Sequence, residues 1–123
     1  MARGTHKNRS FLTRLRCAAG GIGLVYRREK SFRAQGRLAL VAAAAAAALG
    51  VGPGWAAALA LSIGLVLALE AVNSALEYLI DHLHPDLAGE IGCAKDAAAG
   101  AVLIASTAAA AVAAAMLWAR WHG

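Results

Sequence analysis

No Asp, Glu, Lys or Arg occurs between Arg37 and Glu70, nor between Asp96 and Arg120. Charge-free stretches of that length leave a chain few options. They bury themselves in a large protein core or they cross a membrane. A 123-residue chain, 60% apolar and 15% charged with a mean hydropathy of +0.59, has too little polar surface to cover such a core in water. The sequence therefore predicts an all-α integral membrane protein, organised as a single domain over residues 1–123.

The apolar runs divide into three membrane helices, expected over residues 37–52, 55–83 and 96–119. The first is mostly alanine and is short against the ~20 residues a bilayer core requires. Gly50-Val51-Gly52-Pro53-Gly54 reads as a turn, with Trp55 placed as an interfacial aromatic. Pro85 and Gly89 mark a loop, and Trp118, Arg120 and Trp121 close the third helix as an anchor. Upstream, residues 10–33 carry Phe11, Leu12, Leu15, Ile22, Val25 and Tyr26 at three- and four-residue spacing, with arginines between them. That pattern predicts an amphipathic helix lying in the membrane interface, interrupted, if anywhere, at Gly20, Gly21 or Gly23. Residues 1–9 are expected to form a disordered basic tail.

Ten of the twelve basic residues fall within the first 37 positions, opposed there by Glu29 alone. The positive-inside rule puts this end in the cytoplasm, and with it the loop that joins the last two helices. The same basic head suits anionic lipid headgroups better than nucleic acid, which is not an expected partner. Cys17 and Cys93 have neither metal-type nor disulfide-framework spacing. His82, His84 and Asp86 likewise fit no standard metal site and are read as loop residues.

Chemistry concentrates on the second membrane helix. Glu70, Asn73, Glu77 and Asp81 are separated by three, four and four residues, which aligns them along one stripe of a helix. An ionisable group at the bilayer centre costs about 2.5–3.5 kcal/mol, so a stripe of carboxylates beside an apolar span points to function rather than packing. Alone, Glu29 reads as a salt-bridge partner, and Lys95-Asp96 as either interfacial charge or a phosphate-holding helix start. The small side chains of the spans allow close helix approach, and acids are hard to bury among three such helices, so oligomerisation is expected. A proton-coupled transporter with Glu70 as relay acid is a remote alternative, but it leaves Glu29, Lys95 and Asp96 without a role.

Three segments together resemble one family. Glu29-Lys30-Ser31-Phe32-Arg33 looks like the E-x-x-F-R element of the prokaryotic diacylglycerol kinases. Glu70-Ala71-Val72-Asn73-Ser74-Ala75-Leu76-Glu77 with Asp81 resembles their E-x-x-N-[ST]-A-[IL]-E-x-x-x-D, and Ala94-Lys95-Asp96 their A-K-D. The resemblance spans roughly residues 10–120. It implies ATP-dependent phosphorylation of a lipid hydroxyl by a homotrimer with shared active sites on the cytoplasmic side of a bacterial inner membrane. It further implies Glu70 as catalytic base, Glu29 and Glu77 as ligands of Mg2+ and of the nucleotide, and Lys95 and Asp96 as nucleotide contacts. Asn73 and Asp81 become supporting polar groups, and Arg33 joins Glu70 in lipid binding. Gln35 and Ala99 depart from the diacylglycerol branch, and Ala97–Leu103 looks more like the undecaprenol branch. Leu117-Trp118-Ala119-Arg120-Trp121 looks more like the diacylglycerol branch. Diacylglycerol is the expected acceptor, with undecaprenol as the alternative.

Overall fold

The computed structural model describes residues 10–83 and 89–123, and the described residues form four α-helices and no strand. The expected tail over residues 1–9, together with His84, Pro85 and Asp86, lies outside the described residues. The helices are α1 (Phe11–Arg28), α2 (Lys30–Leu49), α3 (Pro53–Leu83) and α4 (Gly89–His122). The last three are each long and apolar enough to cross a membrane.

The first departure from the sequence pattern is at Glu29. Residues 10–33 are not one helix: α1 stops at Arg28, Glu29 is extended (φ −104°, ψ 110°), and α2 starts at Lys30. The helix instead runs unbroken through Gly20, Gly21 and Gly23. Periodicity missed the break because a single extended residue carries no Gly or Pro to announce it. What makes the break tolerable is Arg33, whose Nη1 donates to the carbonyls of Tyr26 (2.7 Å) and Arg27 (2.9 Å) and so closes the open end of α1. At the opposite end Ser10 caps α1, its Oγ accepting from the Thr13 backbone N–H at 3.2 Å.

The second correction follows from the first. The membrane helix expected over 37–52 instead runs from Lys30 to Leu49, twenty residues. At 1.5 Å per residue that gives about 30 Å, the thickness of the hydrocarbon core, so the charged turns before Arg37 supply the length the alanine run lacks. The helix ends at Gly50, which is left-handed (φ 63°, ψ 43°). Gly50 N–H donates to Ala47 O and Val51 N–H to Ala46 O, both at 3.2 Å, while Val51 packs against the cluster containing Ala46. This is a Schellman closure with its hydrophobic contact.

The α3 helix begins at Pro53, where a missing N–H costs nothing, two residues before the expected start. Its 31 residues span about 46 Å, well beyond a ~30 Å hydrocarbon core. Measured from Pro53, the core thickness is used up near Asn73, so Glu77 and Asp81 stand beyond it. The α4 helix likewise extends past the expected 96–119, beginning at Gly89.

Packing is thin. Ala46, Leu59 and Met116, one from each long helix, form the buried cluster, flanked by Ala42, Trp55, Ile63 and Ala113. Arg120 Nε reaches across to the carbonyl of Leu49 at 2.8 Å, tying the end of α4 to the end of α2. Leu40, Leu61 and Ile104 are 73%, 77% and 73% exposed. Apolar surface that extensive belongs against lipid or a second chain, not water.

A side chain at Gly50 would meet no neighbouring atom within 4 Å, so its cost is purely conformational. Gly50→Ala should destabilise the protein by about 1 kcal/mol and Gly50→Asn by less. Circular dichroism during unfolding in detergent would read the difference.

Candidate active site

The acidic stripe of α3 is met by the first residues of α2. Ser31 Oγ donates to Glu70 Oε2 at 3.4 Å, and Tyr78 Oη donates to Glu29 Oε1 at 2.7 Å. These two contacts clip the extended residue and the first turn of α2 to two levels of α3, eight residues apart. The Arg28 guanidinium also lies over the Tyr78 ring, 5.5 Å from its centroid.

Burial separates the carboxylates. Glu70 is only 6% exposed and its neighbour Ser74 2%, whereas Glu77 and Glu29 are half-buried and Asp81 is exposed. The helical rise between Glu70 and Glu77 is about 10 Å. One acid is therefore screened from water, and two stand toward the polar end of the bundle. Asn73 donates through Nδ2 to Glu77 Oε1 at 3.3 Å, while its own Oδ1 is buried without a partner.

From α4, Lys95 Nζ reaches Asp81 Oδ1 at 2.8 Å. The lysine side chain is 25% exposed and the aspartate 63%. This pair places Lys95, in the second turn of α4, against Asp81, one turn beyond Glu77. Asp96, next along, points outward and is exposed. Arg33 lies at the α1–α2 joint, half-buried, with its guanidinium on the α1 carbonyls.

Within one chain, then, Glu29, Glu70, Glu77, Asn73, Asp81 and Lys95 gather on one end of the bundle. Tyr78, the residue after Glu77 on α3, holds Glu29, and Glu70 connects to the first turn of α2 through Ser31. The sequence offered no role for either Tyr78 or Ser31. Ser31 lay inside a quoted motif without standing out, and the one available hint for Tyr78 was that no other Phe, Tyr or Trp follows Trp55 in α3.

The chain matches a family model described as prokaryotic diacylglycerol kinase over residues 16–117. It belongs to that family. The match takes in every residue of the cluster, from Glu29 to Lys95, and covers all three spanning helices except the last residues of α4. No curated protein matches the chain. Membership makes the protein a membrane-embedded lipid kinase, a transferase whose all-helical fold is the one described above.

The Tyr78–Glu29 hydrogen bond can be removed without disturbing the ring beneath Arg28. Tyr78→Phe should free the extended residue from α3 and raise the locally open population about ten-fold, for a bond to a carboxylate worth roughly 1.5 kcal/mol. Trypsin cleavage after Arg27, Arg28 and Lys30 in detergent should accelerate accordingly, with helical content unchanged.

Proposed function

We propose that this lipid kinase transfers the γ-phosphoryl group of ATP to the primary hydroxyl of diacylglycerol, giving phosphatidic acid, at the cytoplasmic face of a bacterial inner membrane. The observation that carries the reading is the division of carboxylates along α3. Glu70 is buried about 26 Å along α3 from Pro53, within the ~30 Å a hydrocarbon core would take up, and Glu77 stands about 10 Å further out with Glu29 beside Tyr78. A lipid alcohol arrives from the bilayer and a nucleotide from water, so a site for both needs its base on the oily side and its phosphate machinery on the wet side.

Glu70 is the general base. Its carboxylate takes the proton of the lipid hydroxyl as that oxygen bonds to the γ-phosphorus. The bond from phosphorus to the β–γ bridging oxygen breaks, and ADP leaves with the electron pair. Ser31, donating to Glu70 Oε2, leaves the other oxygen of the carboxylate to receive the proton.

The donor set suits magnesium. Glu29 at the α1–α2 joint and Glu77 on α3 offer hard oxygens, and the orphaned Asn73 Oδ1 lies beside Glu77. Among the described residues of the chain no three His, Cys, Asp or Glu side chains converge on one metal position. Two carboxylates with the remaining positions left to phosphate oxygens and water is the usual magnesium arrangement at nucleotide sites. Bound there with ATP, the ion would offset charge on the β- and γ-phosphates. Lys95 and Asp96 complete the nucleotide side, with Asp81 holding the lysine in place. Arg33, at the joint beneath the headgroups, is assigned to the lipid. The exposed apolar faces and the small residues of α2 and α4 support a homotrimer whose sites are completed by neighbouring chains.

Glu70→Gln should lower kcat by about 10²–10⁴-fold, the usual worth of a positioned base, with little change in the KM for ATP. Mixed-micelle assays with ATP, magnesium and either diacylglycerol or undecaprenol would measure it. Transfer to undecaprenol alone would reassign the acceptor, the alternative that Gln35 and Ala99 keep open. Full activity of the variant, or no transfer to any lipid alcohol, would overturn the proposal.

A further inference from the structure

A cavity of about 260 Å³ lies between α2, α3 and α4 on the membrane side of the acidic cluster. Its walls are Ala, Leu, Ile and Val, with two polar exceptions, Gln35 and Ser106. Gln35 is one turn past Ser31 on α2, and Val66 on the α3 wall is one turn before Glu70. The cavity thus ends about one helical turn short of the base.

Ser106 is the unexplained group. Its Oγ is buried and makes no hydrogen bond. Other hydroxyls on the same helices behave differently: Ser62 turns back to Leu59 O at 2.9 Å and Thr107 to Leu103 O at 2.8 Å. A hydroxyl kept from water without a partner raises the free energy of the protein, and a ligand that supplies an acceptor recovers it.

The register of α3 against α4 fixes its depth. Asp81 faces Lys95, and Leu59 and Met116 share one buried cluster. Eleven residues from Asp81 toward Leu59 stands Glu70, and eleven from Lys95 toward Met116 stands Ser106. Ser106 and Glu70 therefore lie at one level on adjacent helices, whose axes in such packing are about 8–10 Å apart.

Resting on the function proposed above, we infer that Ser106 is a positioning residue for the acceptor: it donates to an ester carbonyl of a diacylglycerol whose acyl chain enters this cavity and whose free hydroxyl meets Glu70. The chemistry selects that occupant. A diacylglycerol carries an ester carbonyl a few bonds from its primary hydroxyl, so one molecule can satisfy both levelled groups. In a polyprenol the hydroxyl is followed by hydrocarbon, which has no acceptor to offer Ser106. The cavity walls supply the apolar lining an acyl chain needs, and Ser106 supplies the choice between lipids that are equally oily.

The test compares ester-linked diacylglycerol with the ether-linked dialkylglycerol of the same chain length, as acceptors in mixed micelles with ATP and magnesium. The native protein should favour the ester about five-fold in kcat/KM, the worth of one neutral hydrogen bond, through the acceptor KM. Ser106→Ala should erase the preference and Ser106→Thr restore it, with the KM for ATP unchanged in both. Equal turnover of ester and ether by the native protein, or an ester preference surviving in Ser106→Ala, would overturn the inference while leaving the lipid kinase reading intact. Phosphorylation of undecaprenol with diacylglycerol untouched would also overturn it. Failure to phosphorylate any lipid alcohol would remove both proposals at once.

Discussion

A helix in hydrocarbon has no water to satisfy the backbone groups at its ends, so each terminus must be closed by the protein or brought out to the interface. The structure meets that demand with specific residues. Gly50 and Val51 fold back onto Ala47 and Ala46, Arg120 adds a donor at Leu49 O, and Arg33 covers the carbonyls of Tyr26 and Arg27. The last of these has the widest consequences. By closing α1 from a position within α2, Arg33 permits the chain to change direction at Glu29, and that turn presents Glu29 and Ser31 to α3. Without a donor at that point the break would expose open carbonyls next to the membrane, and an unbroken helix would carry Glu29 off in another direction.

The length of α3 does the rest. A helix that merely spanned would end near Asn73; this one carries its regular geometry three turns further, and with it a stripe of acids from buried to exposed. Regular helix is a precise spacer. It holds Glu70 and Glu77 at fixed separation across a boundary where the dielectric changes steeply, so two chemically identical side chains acquire different surroundings and can take different tasks. Asn73 between them and Lys95 opposite Asp81 extend the polar end without adding apolar contacts.

Membrane class, four-helix order and the acidic stripe were legible because each rests on pattern over many residues: uncharged runs, three- and four-residue spacing, and charge asymmetry. The joint at Glu29 was not legible, since one extended residue between two amphipathic stretches leaves no compositional trace. The three glycines at 20, 21 and 23 were the better-looking break, yet nothing approaches them and the helix continues. The α2 start was misplaced for the same reason, because charged residues at a helix entry resemble the end of the preceding interfacial helix. Family likeness supplied roles for Glu29, Glu70 and Glu77, but Tyr78 and Ser31, which hold two of those acids in place, emerge from tertiary contacts between residues 49 and 39 positions apart. Such contacts have no signature in local sequence.

Thin packing completes the logic. A bundle built of alanine has little side-chain volume with which to wall off a buried carboxylate, and here only two of the acid-stripe neighbours, Glu70 itself and Ser74, are well covered by one chain. The other long helical faces carry leucines and isoleucines outward. Small residues let helices approach closely at the price of leaving gaps, and a gap between helices beside a reactive group can receive a hydrocarbon chain directly from the bilayer. A bulkier core would be more stable on its own, but it would close that space. On the proposed reading, the alanine-rich composition that first marked the chain as a membrane protein also gives its lipid substrate room to enter, and leaves the remaining enclosure of the site to neighbouring copies.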